Sequence, residues 1–292
     1  MATLRDLKGR IGSVSSSEKI TGAMKMISSA KMNKAVRDIK RLLPFRNQLE
    51  SIIAHLLEAD AQCVSPLTEE REVRHLTIVV TGSDDGLCGA YNINIYKELL
   101  VHLNSLREEF PSAIIRLIPV GAKMVKAVAK LADAGIEVVT DAPVSSKSDP
   151  DAIKTFTLGL EREFLDGSTD RVDFVYMGFI SPSRQRVRCE QLLPIANATG
   201  TDSGSMAGGR PYLFEPDAGA IFAEALPLML LSRVQEGFSE NRASEQAARV
   251  MAMQSANDNA SKLLEQLRLE YNKLRQQSIT NELLDILGGQ VR

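Results

Sequence analysis

The sequence predicts an α/β protein: a long antiparallel coiled coil of the N- and C-terminal helices with a central α/β domain. Three observations predict it. From 238 to 287 the chain has neither Gly nor Pro and is rich in Ala, Glu, Gln, Leu, Lys, Arg and Met, all helix formers. Within that run Val250, Met253, Asn257, Ala260, Leu264, Leu267, Tyr271 and Leu274 alternate spacings of three and four, the a/d seam of a coiled coil with one polar interruption. The middle of the chain alternates short apolar runs with amphipathic stretches, the rhythm of βαβ units.

A helix over 238 to 287 would be roughly 75 Å long, longer than a compact protein of this size is wide. It is expected to project, and a projecting seam needs a partner. The N-terminal segment offers one. Leu4, Leu7, Ile11 and Val14 step by 3, 4 and 3; after the polar stretch Ser15 to Lys19, Ile20, Met24 and Ile27 resume at 4 and 3. Gly9, Gly12 and Gly22 weaken the first turns, Ala23 to Leu43 is free of Gly and Pro, and Pro44 is expected to kink this helix without ending it. The expected division is 1–60 as N-terminal shaft helix, 61–214 as central domain and 215–292 as C-terminal shaft helix.

In the middle, His75 to Thr81 reads as a buried strand, Ile93 to Glu109 as a helix, Ile114 to Val120 as a strand, Ala122 to Ala134 as a helix and Ile136 to Thr140 as a third strand. A helix over Asp151 to Leu165 leads to a strand at Val172 to Ile180, with Arg186 to Leu193 returning as a hairpin. Parallel pairing of the first three strands gives a Rossmann-like domain. Thr199 to Pro211, rich in Gly and Ser, is expected to be a mobile loop.

Composition excludes several classes. With 292 residues, 44% hydrophobic and 25% charged, the chain is a globular protein and not a disordered one. The net charge of -2 hides a split: +7 over residues 1 to 50, 0 over 238 to 292 and -9 between. The basic face Lys19, Lys25, Lys31, Lys34, Arg37, Lys40 and Arg41 suits a solvated surface or an acidic protein partner. With no Trp and little aromatic interleaving, nucleic acid is disfavoured. The greasiest stretch, Ala218 to Leu231, is interrupted by Glu224 and Pro227 and falls short of the ~20 apolar residues of a membrane span. The charged N-terminus implies no secretion, and Cys63, Cys88 and Cys189 are too few and scattered for a disulfide framework. Met24, Met26, Met32, Met251 and Met253 cluster in the two long helices, either filling the seam or forming a contact surface that slides.

Catalytic chemistry is hard to find. The loop Thr81-Gly82-Ser83-Asp84-Asp85-Gly86-Leu87-Cys88-Gly89-Ala90 follows a strand and precedes a helix, where α/β proteins often hold phosphates. It lacks a Gly-Lys-Ser/Thr ending and a G-x-G-x-x-G phrase, and Asp84 with Asp85 would repel a phosphate. No base stands near Cys88 in the sequence, and His55, His75 and His102 have no ligand spacing. No catalytic residue, cofactor or metal ligand is assigned.

Four phrases then occur in order: Ile20-Thr21-Gly22-Ala23-Met24-Lys25-Met26, Gly86-Leu87-Cys88-Gly89-Ala90-Tyr91-Asn92, Ala243-Ser244-Glu245-Gln246-Ala247-Ala248-Arg249 and Ser278-Ile279-Thr280-Asn281-Glu282-Leu283-Leu284-Asp285-Ile286. Together they resemble the gamma subunits of rotary F-type ATP synthases, over residues 1 to about 290. Asp85 departs from the usual basic residue, and Ala90-Tyr91 from the usual Gly-Phe or Gly-Leu. The resemblance implies a central rotor that couples ion translocation to conformational cycling of catalytic beta subunits. Its implied partners are the alpha and beta hexamer, the epsilon subunit and the ring of membrane c subunits, with no nucleic acid and no membrane insertion. It places Met24, Lys25, Arg249, Gln276, Thr280 and Glu282 at the hexamer, Ile286 to Arg292 in an apolar sleeve, and Tyr212 and Phe214 at a foot facing ring and epsilon. The implied location is peripheral, on the cytoplasmic face of a bacterial energy-transducing membrane or the equivalent organellar side. Two rivals stay open: a coiled-coil scaffold or nucleic-acid-binding arm on an α/β body, and an α/β enzyme using the Gly86 to Gly89 loop.

Overall fold

The computed structural model describes residues 3–59, 65–195 and 214–289. Two compact units divide the chain, Met1–Ala30 with Arg249–Arg292, and Lys31–Ala248. Each long helix contributes to both. Helix α1 spans Leu4–Ala59 and runs through Pro44. It starts in a reciprocal cap, in which the Thr3 amide donates to Asp6 and the Asp6 amide to the Thr3 hydroxyl.

The larger unit is built on a five-stranded sheet of β1 (His75–Thr81), β2 (Ile114–Val120), β3 (Glu137–Val138), β4 (Arg171–Ser181) and β5 (Arg184–Leu193). The strand order is β3-β2-β1-β4-β5. The pairs β1–β2, β1–β4 and β2–β3 are parallel, and β4–β5 is an antiparallel hairpin. The first two strands have the bounds the sequence predicts. β3 is shorter than the expected Ile136 to Thr140, and beyond Val138 it keeps one ladder-like bond, from the Val139 amide to Leu117 O. Helix α2 (Tyr91–Glu109) starts two residues earlier than expected, α3 (Ala122–Val128) tightens into a 3₁₀ turn over Ala129–Ala134, and α4 (Pro150–Leu165) is capped by Asp149.

The C-terminal helix falls within the expected 215–292 and extends well beyond the run free of Gly and Pro. α5 spans Ala218–Gly289, with Pro227 inside it, and begins some twenty residues before the run free of Gly and Pro. Asp217 caps it, accepting the Ala220 amide. Phe222, Leu226, Leu230, Val234 and Phe238, at four-residue steps, are buried, as is Met229 beside them. Each buried large side chain contributes about 1.5–3 kcal/mol, enough together to outweigh the roughly 3 kcal/mol of an internal proline.

Two cores flank the sheet. On one face Phe174, Tyr176 and Val172 pack with Ile53 and Leu56 of α1, Phe156 and Phe164 of α4, and the first turns of α5. On the other, Ile78, Val80 and Val175 pack with Ile95, Leu99 and Leu103 of α2 and Met124 of α3. In this unit α1 and α5 run antiparallel: Arg46 meets Glu236, while Leu49 and Ile52, further along α1, line an apolar groove of about 460 Å³ with Ala220, Ile221 and Leu228, earlier along α5.

Candidate functional site

In doubly wound sheets ligands bind beyond the carboxyl ends of the strands, where the strand order reverses. Here that point lies between β1 and β4, and a side chain fills it. Asn241 of α5, 1% exposed, donates from Nδ2 to Gly82 O at 3.2 Å. Its Oδ1 accepts the Tyr91 hydroxyl at 2.5 Å and the Met177 amide at 3.5 Å. The Tyr91 hydroxyl also lies 3.1 Å from Asn241 O. A helix of the protein itself thus takes the place a ligand takes elsewhere.

Polar contacts surround this one. Glu240 accepts the Phe179 amide at 3.1 Å, with Arg188 at 4.0 Å. Burial raises the Glu240 pKa above its ordinary value, while Arg188 and the Phe179 amide oppose the rise. Gly178 leaves the room Arg188 needs, since a Cβ there would sit 2.7 Å from Arg188 Nε. Arg242 donates to Ser146 O at 2.7 Å and to Ser148 O. Arg46 of α1 holds both carboxylate oxygens of Glu236, at 2.8 and 2.6 Å.

The loop 81–90 serves neighbouring backbone. Asp84 accepts the Ala122 amide at the start of α3 and the Ser146 hydroxyl. Asp85 pairs with Lys147 at 2.8 Å, on an exposed surface. Cys88 is buried beside the Ser83 hydroxyl and Asn92. Both acidic groups that would repel a phosphate are therefore engaged. The histidines stay apart: His55 bonds Ser51 O, His75 lies 3.8 Å from Asp170, and His102 meets buried Asp173 at 2.8 Å, whose other partner is Arg171. Cys189 lies near that carboxylate, its thiol pushed up to about 12 by burial first and then by Glu98, Asp173 and Glu190. Such a thiol is a poor nucleophile. Among the described residues no three His, Cys, Asp or Glu converge to hold a metal ion.

The smaller unit is the helix pair 3–30 with 249–289. All eight predicted seam positions of α5 are buried or half-buried, Leu264, Met253 and Leu267 the most. On α1 the seam is corrected. Ile20 and Ile27, expected to face inward, are 59% and 56% exposed. The heptad phase of Leu4, Leu7, Ile11 and Val14 instead continues without a break through Glu18, Thr21, Lys25 and Ser28, all buried or half-buried. Thr21 Oγ1 lies 3.3 Å from Asn257 Oδ1, and a Cβ on Gly22 would lie at the same distance from that atom. A polar layer thus sits where the seam of α5 is interrupted. The methionines divide accordingly, with Met32 and Met253 buried and Met26 and Met251 exposed.

Of the positions implied at the hexamer, Met24 and Lys25 are adjacent and half-buried beside exposed Met26 and Ile27. Gln276, Thr280 and Glu282 are exposed on α5, where the Thr280 hydroxyl bonds Gln276 O and Ser278 bonds Glu282. Arg249 is set apart from them, at 5% exposure. Phe214 packs half-buried against the larger core. Tyr212, Cys63, residues 290–292 and the loop Thr199 to Pro211 lie outside the described residues.

The family described as ATP synthase matches residues 3–291. An ATP synthase gamma chain of Bacteroides fragilis is 39% identical over 99% of both chains. One of Phocaeicola vulgatus is 40% identical at the same coverage. The chain belongs to the ATP synthase gamma-chain family. The fold agrees: the rotor of the Euglena gracilis mitochondrial ATP synthase superposes with a TM-score of 0.60 at 19% identity, covering 94% of this chain and 98% of that one. The central stalk of the Tetrahymena thermophila enzyme gives 0.57 at 22% identity over 81% and 99%. Within a gamma chain the two sequence departures acquire physical content. Asp85 has Lys147 as a local counter-charge, and Tyr91 uses a hydroxyl that Phe or Leu would lack, to reach Asn241.

Proposed function

We propose that this gamma chain works by contact alone, as a shaft whose orientation selects the states of its neighbours, and carries no catalytic group. Family membership makes it a central-stalk subunit of the F-type ATP synthase, in the peripheral F1 sector. Among the described residues no helix is long and apolar enough to cross a membrane. The observation that carries the reading is the crevice between β1 and β4: the point where this kind of sheet offers a ligand site holds Asn241 of the protein's own helix.

In this reading ion flow turns the c ring, the ring and epsilon subunit turn this chain through a foot that includes Tyr212 and Phe214, and the shaft biases the beta chains. Each orientation must contact three beta chains differently, because only differential interaction shifts their conformational equilibria. Met24 and Lys25 meet the acidic side of a beta chain, helped by the +7 N-terminal segment. Gln276, Thr280 and Glu282 serve as polar contacts further along. Arg249, 5% exposed in the chain by itself, is the remaining position that the resemblance implies at the hexamer. The functional division remains shaft 1–60, body 61–214 and shaft 215–292, seated on the cytoplasmic face of a bacterial membrane or the organellar equivalent. Purified chain alone should neither hydrolyse nor synthesise ATP, and should stimulate hydrolysis when added to alpha and beta chains. Turnover by the single chain, or no effect on the alpha–beta assembly, would overturn the reading.

A further inference from the structure

We infer that Asn241 is a positioning residue: a key that fixes the rotational setting of α5 within the α/β body, so that the two turn as one piece. The inference rests on the rotor reading above. An apolar side chain would fill the crevice without the cost of burying an amide. The chain instead buries an amide and uses both its polar ends on three separate elements, Tyr91 of α2, Gly82 after β1 and Met177 of β4. Apolar packing is non-directional and tolerates a helix turning by degrees about its axis. Hydrogen bonds weaken steeply with angle, so this set specifies one setting.

The flanking residues add constraints in the same stretch of helix. Glu240 holds the Phe179 amide and Arg242 holds the carbonyls of Ser146 and Ser148, just before α4. One turn earlier the bare face of Gly237 takes the edge of the Phe174 ring, where a Cβ would come within 2.2 Å of Cε1. A rotation of α5 relative to the body would break all these contacts together. That is the mechanical behaviour of a keyed joint, and it is what a part transmitting torque between body and shaft requires.

The test uses Asn241→Leu and Tyr91→Phe, singly and together, in the full chain and in reassembled enzyme in vesicles. In the full chain, hydrogen exchange should quicken about tenfold at the Met177 amide, which donates to Asn241, and stay unchanged in the middle of β1. In vesicles, ATP hydrolysis should persist while pumping per ATP against an imposed opposing gradient falls by about fivefold or more in Asn241→Leu. Tyr91→Phe should give a smaller loss alone and little further loss on top of Asn241→Leu, where only the longer contact of the hydroxyl with the backbone carbonyl at 241 remains. Ile95→Val, a core change of the same body, controls for lost stability and should leave pumping per ATP at the wild-type value. Unchanged exchange at Met177, unchanged pumping in Asn241→Leu, or an equal loss in Ile95→Val would each overturn the joint. A wild-type chain that restores no pumping would count against the rotor reading instead, and the exchange result would then decide the joint by itself.

Discussion

Gly237 lies against the ring of Phe174 so closely that a Cβ would come within 2.2 Å of Cε1 and 3.0 Å of Cζ. A glycine inside a helix ordinarily costs about 1 kcal/mol relative to alanine. Here it is the condition for packing α5 on β4. Gly237→Ala should therefore destabilise the chain by about 1–3 kcal/mol through overpacking, read as a lower thermal midpoint. Gly159 of α4 has nothing within 4 Å of its hypothetical Cβ, so Gly159→Ala should stabilise by up to about 1 kcal/mol. Shifts of the same sign in the two variants would contradict the packing argument.

Leu264 and Leu267 are 3% and 7% exposed. Changing both to Asp places two unpaired carboxylates in the seam, where losing even one such side chain costs roughly 2–5 kcal/mol. Helical signal from the terminal pair should fall while the sheet signal persists, because separate cores respond nearly independently. In the assembled enzyme, ion-driven synthesis should drop further than ATP hydrolysis. The control pair Lys262→Asp with Arg268→Asp is exposed and should be far milder. Equal effects from the two pairs would show that this stretch carries no coiled-coil load.

Why part of this was legible in the sequence and part was not follows from what each signal measures. β1 and β2 are continuous apolar runs bounded by polar residues, so burial and composition coincide. The α5 seam was legible for the same reason, its eight positions being mostly apolar. The α1 seam was not, because Glu18, Thr21, Lys25 and Ser28 occupy heptad positions while Ile20, Met26 and Ile27 face outward. Hydrophobicity marked the wrong face, whereas the phase set by Leu4, Leu7, Ile11 and Val14 marks the right one. Asn241 carried no signal at all. An Asn among charged residues of a helix reads as surface, and only the crevice between β1 and β4 gives it a role.

Glu240 provides a pH dependence with a definite sign. Burial raises its folded pKa above the ordinary 4.5, so the folded state holds the proton more tightly than the unfolded chain. Its stabilising effect is fully present below 4.5 and is lost as pH rises through the raised folded value. Glu240→Gln removes that loss while keeping an acceptor for the Phe179 amide. The variant should gain stability relative to wild type as pH rises from about 4 toward 7, and the difference should shrink again below the unfolded value. Denaturant midpoints measured across that range check it. A difference that grows on acidification would reverse the sign and sink the assignment.

Cys189, its thiol pushed up to about 12 by burial, and buried Cys88 should resist alkylation. At about pH 8 in the native chain both should react far more slowly than a free thiol, Cys189 because the thiolate is the reactive form and Cys88 because a reagent has little access to it. After unfolding both should react promptly. Rapid native labelling of Cys189, mapped by peptide mass, would contradict the burial of the β5 edge against α2.

Ile27 and Ser28 are neighbours with opposite exposures, 56% and 3%, and they separate stability from partner binding. Ile27→Asp removes an outward apolar side chain that has no seam role, so the thermal midpoint of the chain should change by no more than about 0.5 kcal/mol equivalent. Ser28→Leu forces extra volume into the packed side of α1 and should cost about 1–3 kcal/mol. The order reverses once alpha and beta chains are present. If the outward strip of Ile20, Met26 and Ile27 meets the hexamer beside Met24 and Lys25, Ile27→Asp introduces a charge where an apolar contact and an acidic partner were expected. Stimulation of ATP hydrolysis should then fall more in Ile27→Asp than its unchanged stability would predict. Titrating each variant into a fixed amount of alpha and beta chains measures this directly. A wild-type titration curve for Ile27→Asp would mean that the exposed strip is solvated surface and that contact on this side of α1 runs through other residues.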